Sequence, residues 1–129
     1  MLKPAKTLRK KILPTEQKEQ EIVVHWLKVQ HPRVLFCASA GGMRVSMRTA
    51  IKMKAAGYSK GFPDLFIYEP CGGKLGLAIE MKRQKGGVVS QEQKDWINAL
   101  ISRGYSAYIC YGAAEAINAI TAYLDAKTH

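Results

Sequence analysis

The sequence has few cysteines and no long apolar run. Its three cysteines, Cys37, Cys71 and Cys110, are widely spaced and form no Cys-x-x-Cys pair, which argues against a disulfide framework or a zinc site. Cys37 and Cys110 lie within apolar runs, where a free cysteine packs as a small hydrophobic side chain. No apolar stretch could span a bilayer, and the basic N-terminus lacks the apolar segment of a secretory signal. We therefore expect a cytoplasmic protein without a membrane anchor.

Acidic residues are also scarce over much of the chain. Between Ile22 and Pro63 there is no Asp or Glu, although this stretch contains seven Lys or Arg, and residues 1–11 contain five more basic residues. The whole chain carries a net charge of +10. Such an asymmetry indicates a polyanionic partner, most simply a nucleic acid. A solvated basic surface that only aids solubility is the alternative interpretation.

The chain length of 129 residues fits one domain. We expect a flexible basic arm at residues 1–13 and a single domain at 14–129. Apolar periodicity and capping residues predict helices at about 15–30, 43–56, 90–103 and 113–126. Strands are predicted at 34–38, 64–68, 75–82 and 105–111. The order predicts an α/β fold with a mixed four-stranded sheet flanked by helices, in which the last two strands are parallel.

The second predicted helix has two distinct faces. One is an apolar stripe, which is typical of a helix that packs on a core, and it contains Met43, Met47, Ala50, Ile51 and Ala55. A neighbouring face carries three basic residues at i+4 spacing, Arg44, Arg48 and Lys52.

The hairpin formed by the second and third strands predicts a pair of opposed carboxylates. If its turn is centred on Gly72, Asp64 lies directly opposite Glu80, about 5 Å away on the same face of the sheet. Lys82 projects from that face too, because it is two residues beyond Glu80. Two opposed carboxylates repel each other unless a positive charge lies between them. A divalent cation would provide that charge, and a cross-strand ion pair with Lys82 is the alternative.

Three motifs in this region resemble a known nuclease family. Gly61-Phe62-Pro63-Asp64, then Glu80-Met81-Lys82, are similar to the motifs of the PD-(D/E)xK superfamily, and the following Gln93-x-x-Trp96 resembles the VRR-NUC (virus-type replication–repair nuclease) family. The resemblance covers about residues 15–124. It implies a restriction-endonuclease-like core and a Mg²⁺- or Mn²⁺-dependent hydrolase of DNA phosphodiester bonds.

The resemblance also implies roles for individual residues. Asp64, Glu80 and the backbone carbonyl of Met81 would bind the metal, and Lys82 would hold or help to deprotonate a water molecule on it. Gln93 would be oriented near the metal or the water. A capping box formed by Ser90 and Gln93 could instead account fully for this glutamine.

The family uses one further acid from the first helix, and the sequence offers Glu16, Glu19 and Glu21. At 100° per residue, Glu21 points away from the apolar stripe, Glu19 points near its centre and Glu16 lies near its edge. The family places its glutamate just after the helix start, which selects Glu16. The preference of helix N-termini for acids would explain the same residue without any catalytic role.

Free-standing members of the family resemble Holliday-junction resolvases that act as homodimers. We therefore expect a structure-selective endonuclease that acts on branched or four-way DNA. The residues expected to contact DNA are Arg44, Arg48, Lys52, Lys60, Arg83 and Lys85. A flap-cutting or restriction-type nuclease and a catalytically silent DNA-binding module are the alternatives.

Overall fold

The computed structural model describes residues 12–40 and 44–126. The helices in this part of the chain are α1 (Glu16–Gln30), α2 (Met47–Ala55), α3 (Gln91–Ser102) and α4 (Ala113–Asp125). The strands are β1 (Phe36–Ala38), β2 (Leu65–Ile67), β3 (Leu77–Lys82) and β4 (Ser106–Tyr111). None of these four helices has the length and apolar character needed to cross a membrane. Residues 1–11, most of the predicted basic arm, lie outside the described residues, so the division into arm and domain stays a prediction.

The strands form one mixed sheet in the order β1-β2-β3-β4. β1 and β3 both pair antiparallel with β2, whereas β3 and β4 are parallel and are connected by α3. This arrangement confirms the predicted α/β fold and the predicted parallel crossover. The central strand, β3, is buried along its whole length.

A tight turn closes the β2–β3 hairpin. Cys71 and Lys74 exchange two backbone hydrogen bonds of 2.9 and 3.1 Å across Gly72 and Gly73. Both glycines have positive φ, 58° and 79°, as a type I′ turn requires. Between the turn and the strands, residues 68–70 stand opposite residues 75–76, and this offset pairs Leu65 with Ile79. The pairing is the predicted one, although the turn lies between Gly72 and Gly73 and not on Gly72.

The sheet separates two layers of different composition. Residues at odd positions in β3, such as Ile79, join the main core with α1 and α4. Ala78, on the opposite face, packs with Ile97 of α3 and Ala107 of β4 in a smaller cluster. By the alternation of strand side chains, Glu80 and Lys82 share this second face. The polar residues of β3 are therefore on the side of the sheet that α3 covers.

The second helix and the first strand differ from the prediction. α2 begins at Met47 behind the N-cap Ser46, and it has no buried residue; Met47 is 78% exposed and Ile51 62%. Among the described residues, no helix or strand packs against α2. The stripe residues Met47, Ala50, Ile51 and Ala55 are exposed, and Met43 lies outside the described residues. β1 is a short edge strand in which Cys37 is exposed. The prediction of a buried Cys37 was therefore wrong, whereas Cys110 is buried as expected.

Candidate active site

The two predicted carboxylates meet at the end of the hairpin. Asp64 immediately precedes β2, and its Oδ2 accepts a 2.7 Å hydrogen bond from the backbone N–H of Met81. The loop before it is held against α3, because a Cβ on Gly61 would lie 2.5 Å from the carbonyl carbon of Glu92. Glycine is the only residue that fits there, all the more since its φ is +89°. This close approach positions Asp64 beside Glu80.

Burial and mutual repulsion make the carboxyl pair hard to ionise. Burial, and then the negative charge of Asp64, raise the pKa of Glu80 to about 8, although Lys82 opposes the shift. Burial also raises the pKa of Asp64, against the hydrogen bond from Met81. No donor among the described residues reaches the buried Oε2 of Glu80. The carboxyl groups of Asp64 and Glu80 can form a hydrogen bond with each other only when one of them carries a proton.

Lys82 is enclosed next to this pair. Its Nζ lies 3.9 Å from Oε1 of Glu80, and the residue is 6% exposed. The loop after β3 covers its stem, since a Cβ on Gly87 would lie 3.2 Å from Cβ of Lys82. The contact agrees with the ion-pair interpretation, and it also places a buried ammonium group at the carboxylates. Both interpretations of Lys82 therefore stay open at this point.

The side-chain amide of Gln93 makes two hydrogen bonds, one through its oxygen and one through its nitrogen. Its Oε1 accepts a 2.9 Å hydrogen bond from the backbone N–H of Ser90, and Ser90 Oγ accepts one of 3.2 Å from the N–H of Gln93. This is the predicted capping box of α3. Its Nε2 donates a 2.6 Å hydrogen bond to Oε1 of Glu80. The cap and the contact with the site are thus present together.

The three acids of α1 have different surroundings. Glu16 follows the N-cap Thr15 and is partly buried. Burial raises its pKa, and the charges of Lys82 and Asp64 act on it in opposite directions. Glu19 is buried one helical turn further along α1, against Gln84 and Ala113, and Glu21 is exposed.

The donor set suits a hard divalent cation. Asp64 and Glu80 offer carboxylate oxygens, one of which is buried without a donor, and Mg²⁺ and Mn²⁺ prefer such ligands. Within residues 12–40 and 44–126, no three His, Cys, Asp or Glu side chains surround a common point. A cation here would complete its coordination with a backbone carbonyl, water and phosphate oxygens, which is usual for Mg²⁺.

The residues expected to contact DNA are all exposed, and the structure places them in two regions. Arg44, Arg48 and Lys52 belong to α2 and the segment before it. Arg83 and Lys85 directly follow the strand that carries Lys82. Lys60 lies between these regions in the sequence, and its Nζ is 3.9 Å from Oε1 of Glu92. Glu92 therefore partly neutralises Lys60, which the sequence did not indicate.

Sequence analysis did not identify Gln84 as a neighbour of the site. Its side chain bonds to Glu19, 65 positions earlier in the chain, and nothing in its local sequence marks it. The only signal was the predicted position of Glu19 near the centre of an apolar stripe. A carboxyl group in such a place needs partners.

Comparisons with known proteins agree with this fold. A solved structure of a VRR_NUC domain protein superposes with a TM-score of 0.77 at 28% sequence identity, over 88% of this chain and 91% of that chain. No curated protein matches the chain. The model of the VRR-NUC domain family matches residues 5–114, a range that includes Glu16, Asp64, Glu80, Lys82 and Gln93. The chain therefore belongs to the VRR-NUC domain family, whose members are nucleases.

Proposed function

We propose that this protein is a Mg²⁺- or Mn²⁺-dependent DNA endonuclease that acts as a homodimer and resolves four-way junctions. Membership of the VRR-NUC family supports the general activity. The metal dependence, the substrate and the oligomeric state are the proposal.

The observation that carries the proposal is the pair formed by the half-buried Asp64 and the buried Glu80. Two adjacent carboxyl groups with raised pKa values are costly in a folded protein unless a cation or a proton neutralises them. No donor in the described part of the chain reaches Oε2 of Glu80. A catalytically silent DNA-binding module would gain nothing from such a pair near phosphates, whereas a hydrolase that depends on Mg²⁺ or Mn²⁺ can hold its cation with one.

Each residue of the site has a role in this proposal. Asp64, Glu80 and the carbonyl of Met81 would hold the cation, which supplies a polarised phosphate and an acidified water when it is bound. The Lys82 ammonium would stabilise negative charge that develops on the attacked phosphate. Gln93 holds Glu80 in one orientation through its 2.6 Å hydrogen bond. Glu16 would orient the attacking water molecule from the side of α1.

The distribution of charge favours recognition of DNA shape over base sequence. The exposed basic residues expected to contact DNA are spread over α2 and the segment after β3. Lys and Arg in such positions contact backbone phosphates at several angles, as a branched junction presents them. Symmetric cleavage of a four-way junction needs two active sites, and a two-fold dimer provides both.

A cleavage panel tests the proposal. Four-way junctions, 5′ and 3′ flaps, linear duplex and single strands are incubated with the protein and Mg²⁺, Mn²⁺ or EDTA, and sedimentation velocity measures the oligomeric state. We expect a dimer that makes paired nicks near the branch point of the four-way junction only when metal is present. A monomer that cuts only flaps would overturn the resolvase proposal and favour a flap nuclease.

The carboxyl pair provides the matched variants for this panel. Asp64→Asn and Glu80→Gln should each reduce cleavage by at least about 10³-fold, because each removes an ionisable metal ligand. DNA affinity should change less than about threefold, because the exposed basic residues provide most of it. Rates and affinities are measured on the same junction. Full activity of either variant with Mg²⁺ would remove the basis of the proposed site.

A further inference from the structure

Glu19 is a buried acid that the proposed reaction does not use. It lies on the buried face of α1 with Val23 and Leu27 and is 2% exposed. Its Oε1 accepts a 2.8 Å hydrogen bond from Nε2 of Gln84, and its Oε2 accepts another from the backbone N–H of Ala113. Both carboxyl oxygens are therefore bonded, as a buried polar group requires.

The bond to Ala113 makes Glu19 the cap of another helix. The N-cap residue of α4 is Gly112, which has no side chain to accept a hydrogen bond. Glu19 provides the missing acceptor from α1, at a helix end that favours negative charge. The residue that caps α4, Glu19, therefore lies 94 positions before Ala113 in the sequence.

The carboxyl group of Glu19 is tightly packed against Gly112. A Cβ on Gly112 would lie 2.8 Å from Cγ of Gln84 and 3.2 Å from Oε2 of Glu19. The N–H of Gly112 donates a 2.8 Å hydrogen bond to the carbonyl of Lys82. Glu19 is therefore packed where α1, the start of α4 and the end of β3 meet.

This junction lies next to the residues of the active site. Glu16 is one helical turn before Glu19 on α1, and its carboxyl group is close enough to Lys82, Asp64 and Arg83 for their charges to act on it. Gln84 is two residues beyond Lys82 on the other side of the junction. A leucine could fill a core position without needing hydrogen bonds. The two bonds of Glu19 instead fix how α1 sits against the end of β3.

We propose that Glu19 is a positioning residue of the nuclease site, which holds Glu16 at its working distance from Asp64 and Lys82. This inference rests on the proposed function. A displacement of a catalytic group by about 1 Å can cost 10²-fold in rate. Loosening the junction should therefore slow the chemical step more than it weakens DNA binding.

A double-mutant cycle with Glu16 tests this inference. The variants are Glu19→Gln, Glu16→Gln and the double variant, and single-turnover rates and DNA affinity are measured on one junction with saturating Mg²⁺. Glu19→Gln keeps the size of the side chain but replaces one acceptor oxygen with a donor. We expect it to lower the rate about tenfold at unchanged DNA affinity. In the Glu16→Gln background the same change should cost less than about twofold, because the residue that Glu19 positions has been disabled.

Two further variants control for folding. Glu21→Gln, on the exposed face of α1, should match the wild-type rate. Gln84→Ala removes one bond of Glu19 from an exposed position, so it remains informative if Glu19→Gln does not fold. It should lower the rate about threefold, again only when Glu16 is intact.

The outcomes separate the two proposals. Equal rate losses in both Glu16 backgrounds, or an unchanged rate in Glu19→Gln and Gln84→Ala, would show that Glu19 only stabilises the fold and would overturn the inference. An unchanged rate in Glu16→Gln would overturn it as well. A wild-type protein that cuts no DNA with Mg²⁺ or Mn²⁺ would instead overturn the proposed function.

Discussion

The side-chain amide of Gln93 joins the cap of α3 to the carboxyl group of Glu80. Its Oε1 accepts from the N–H of Ser90 at 2.9 Å, and its Nε2 donates to Oε1 of Glu80 at 2.6 Å. The first turn of α3 and the centre of the site are therefore connected through one residue. A change at Gln93 should affect both, whereas a change at Ser90 should affect only the helix.

Paired substitutions test this connection. Ser90→Ala and Gln93→Ala each break the capping box, and each should lower the free energy of unfolding by about 1 kcal/mol. Only Gln93→Ala removes the hydrogen bond to Glu80, so only this variant should lower kcat, by about 10-fold or more. Chemical denaturation and cleavage of the junction measure the two effects. Equal activity of the two variants would mean that Gln93 serves the helix alone.

The raised pKa of Glu80 predicts a dependence of stability on pH in the metal-free protein. An unfolded Glu titrates near 4.5, and the folded protein holds this proton to about pH 8. The contribution of Glu80 to the free energy of unfolding is thus fully present below pH 4.5 and is lost as the pH rises towards 8. In EDTA, the Tm of the wild-type protein should fall between pH 5 and 8.5 relative to that of Glu80→Gln, by ~5 °C or more.

The comparison with Glu80→Gln removes this titration and keeps every other ionisable group, so the difference between the two proteins reports on the ionisation of the Asp64–Glu80 pair. Thermal unfolding followed by circular dichroism at matched ionic strength is sufficient. Above pH 8, Glu80→Gln should be the more stable of the two in EDTA, and Mg²⁺ should stabilise only the wild-type protein. Parallel curves of Tm against pH for the two proteins would contradict the raised pKa.

Lys82 should matter for the rate much more than for binding. Lys82→Ala should reduce cleavage by about 10²-fold or more, because an enclosed ammonium group beside the carboxylates cannot be replaced by solvent. Its effect on DNA affinity should be below about threefold. Lys85→Ala, three residues later and exposed, is the matched control and should weaken binding without changing kcat. If Lys82→Ala loses binding and rate equally, the ion-pair interpretation is favoured.

The basic face of α2 predicts a change in salt dependence. Arg44, Arg48 and Lys52 are all exposed, and no described helix or strand covers α2. Replacing all three with Ala should weaken binding to every DNA and reduce the slope of log K against log salt by about 2–3. Fluorescence anisotropy at several salt concentrations measures the slope. An unchanged slope would mean that these residues only face solvent.

Local sequence determined the features whose interacting residues lie close together in the chain. Gly72 and Gly73 can adopt positive φ, so the place of the turn between β2 and β3 follows from the sequence. The register that brings Asp64 opposite Glu80 also depends on one extra residue on the β2 side, between the strand and the turn. Ser90 and Gln93 likewise specify the start of α3 three residues apart. Family motifs then selected Glu16, whose carboxyl group is close enough to Lys82 and Asp64 for their charges to act on it.

Tertiary structure decided everything that depends on distant partners. The apolar stripe of α2 has the correct period for a buried face, yet no described element covers it, because amphipathicity specifies a face and not its partner. The bonds of Glu19 to Gln84 and Ala113 span 65 and 94 positions, and the contact of Gln93 with Glu80 depends on how α3 crosses the sheet. Periodicity describes one element at a time, whereas burial and hydrogen bonding between elements are settled only when the chain packs.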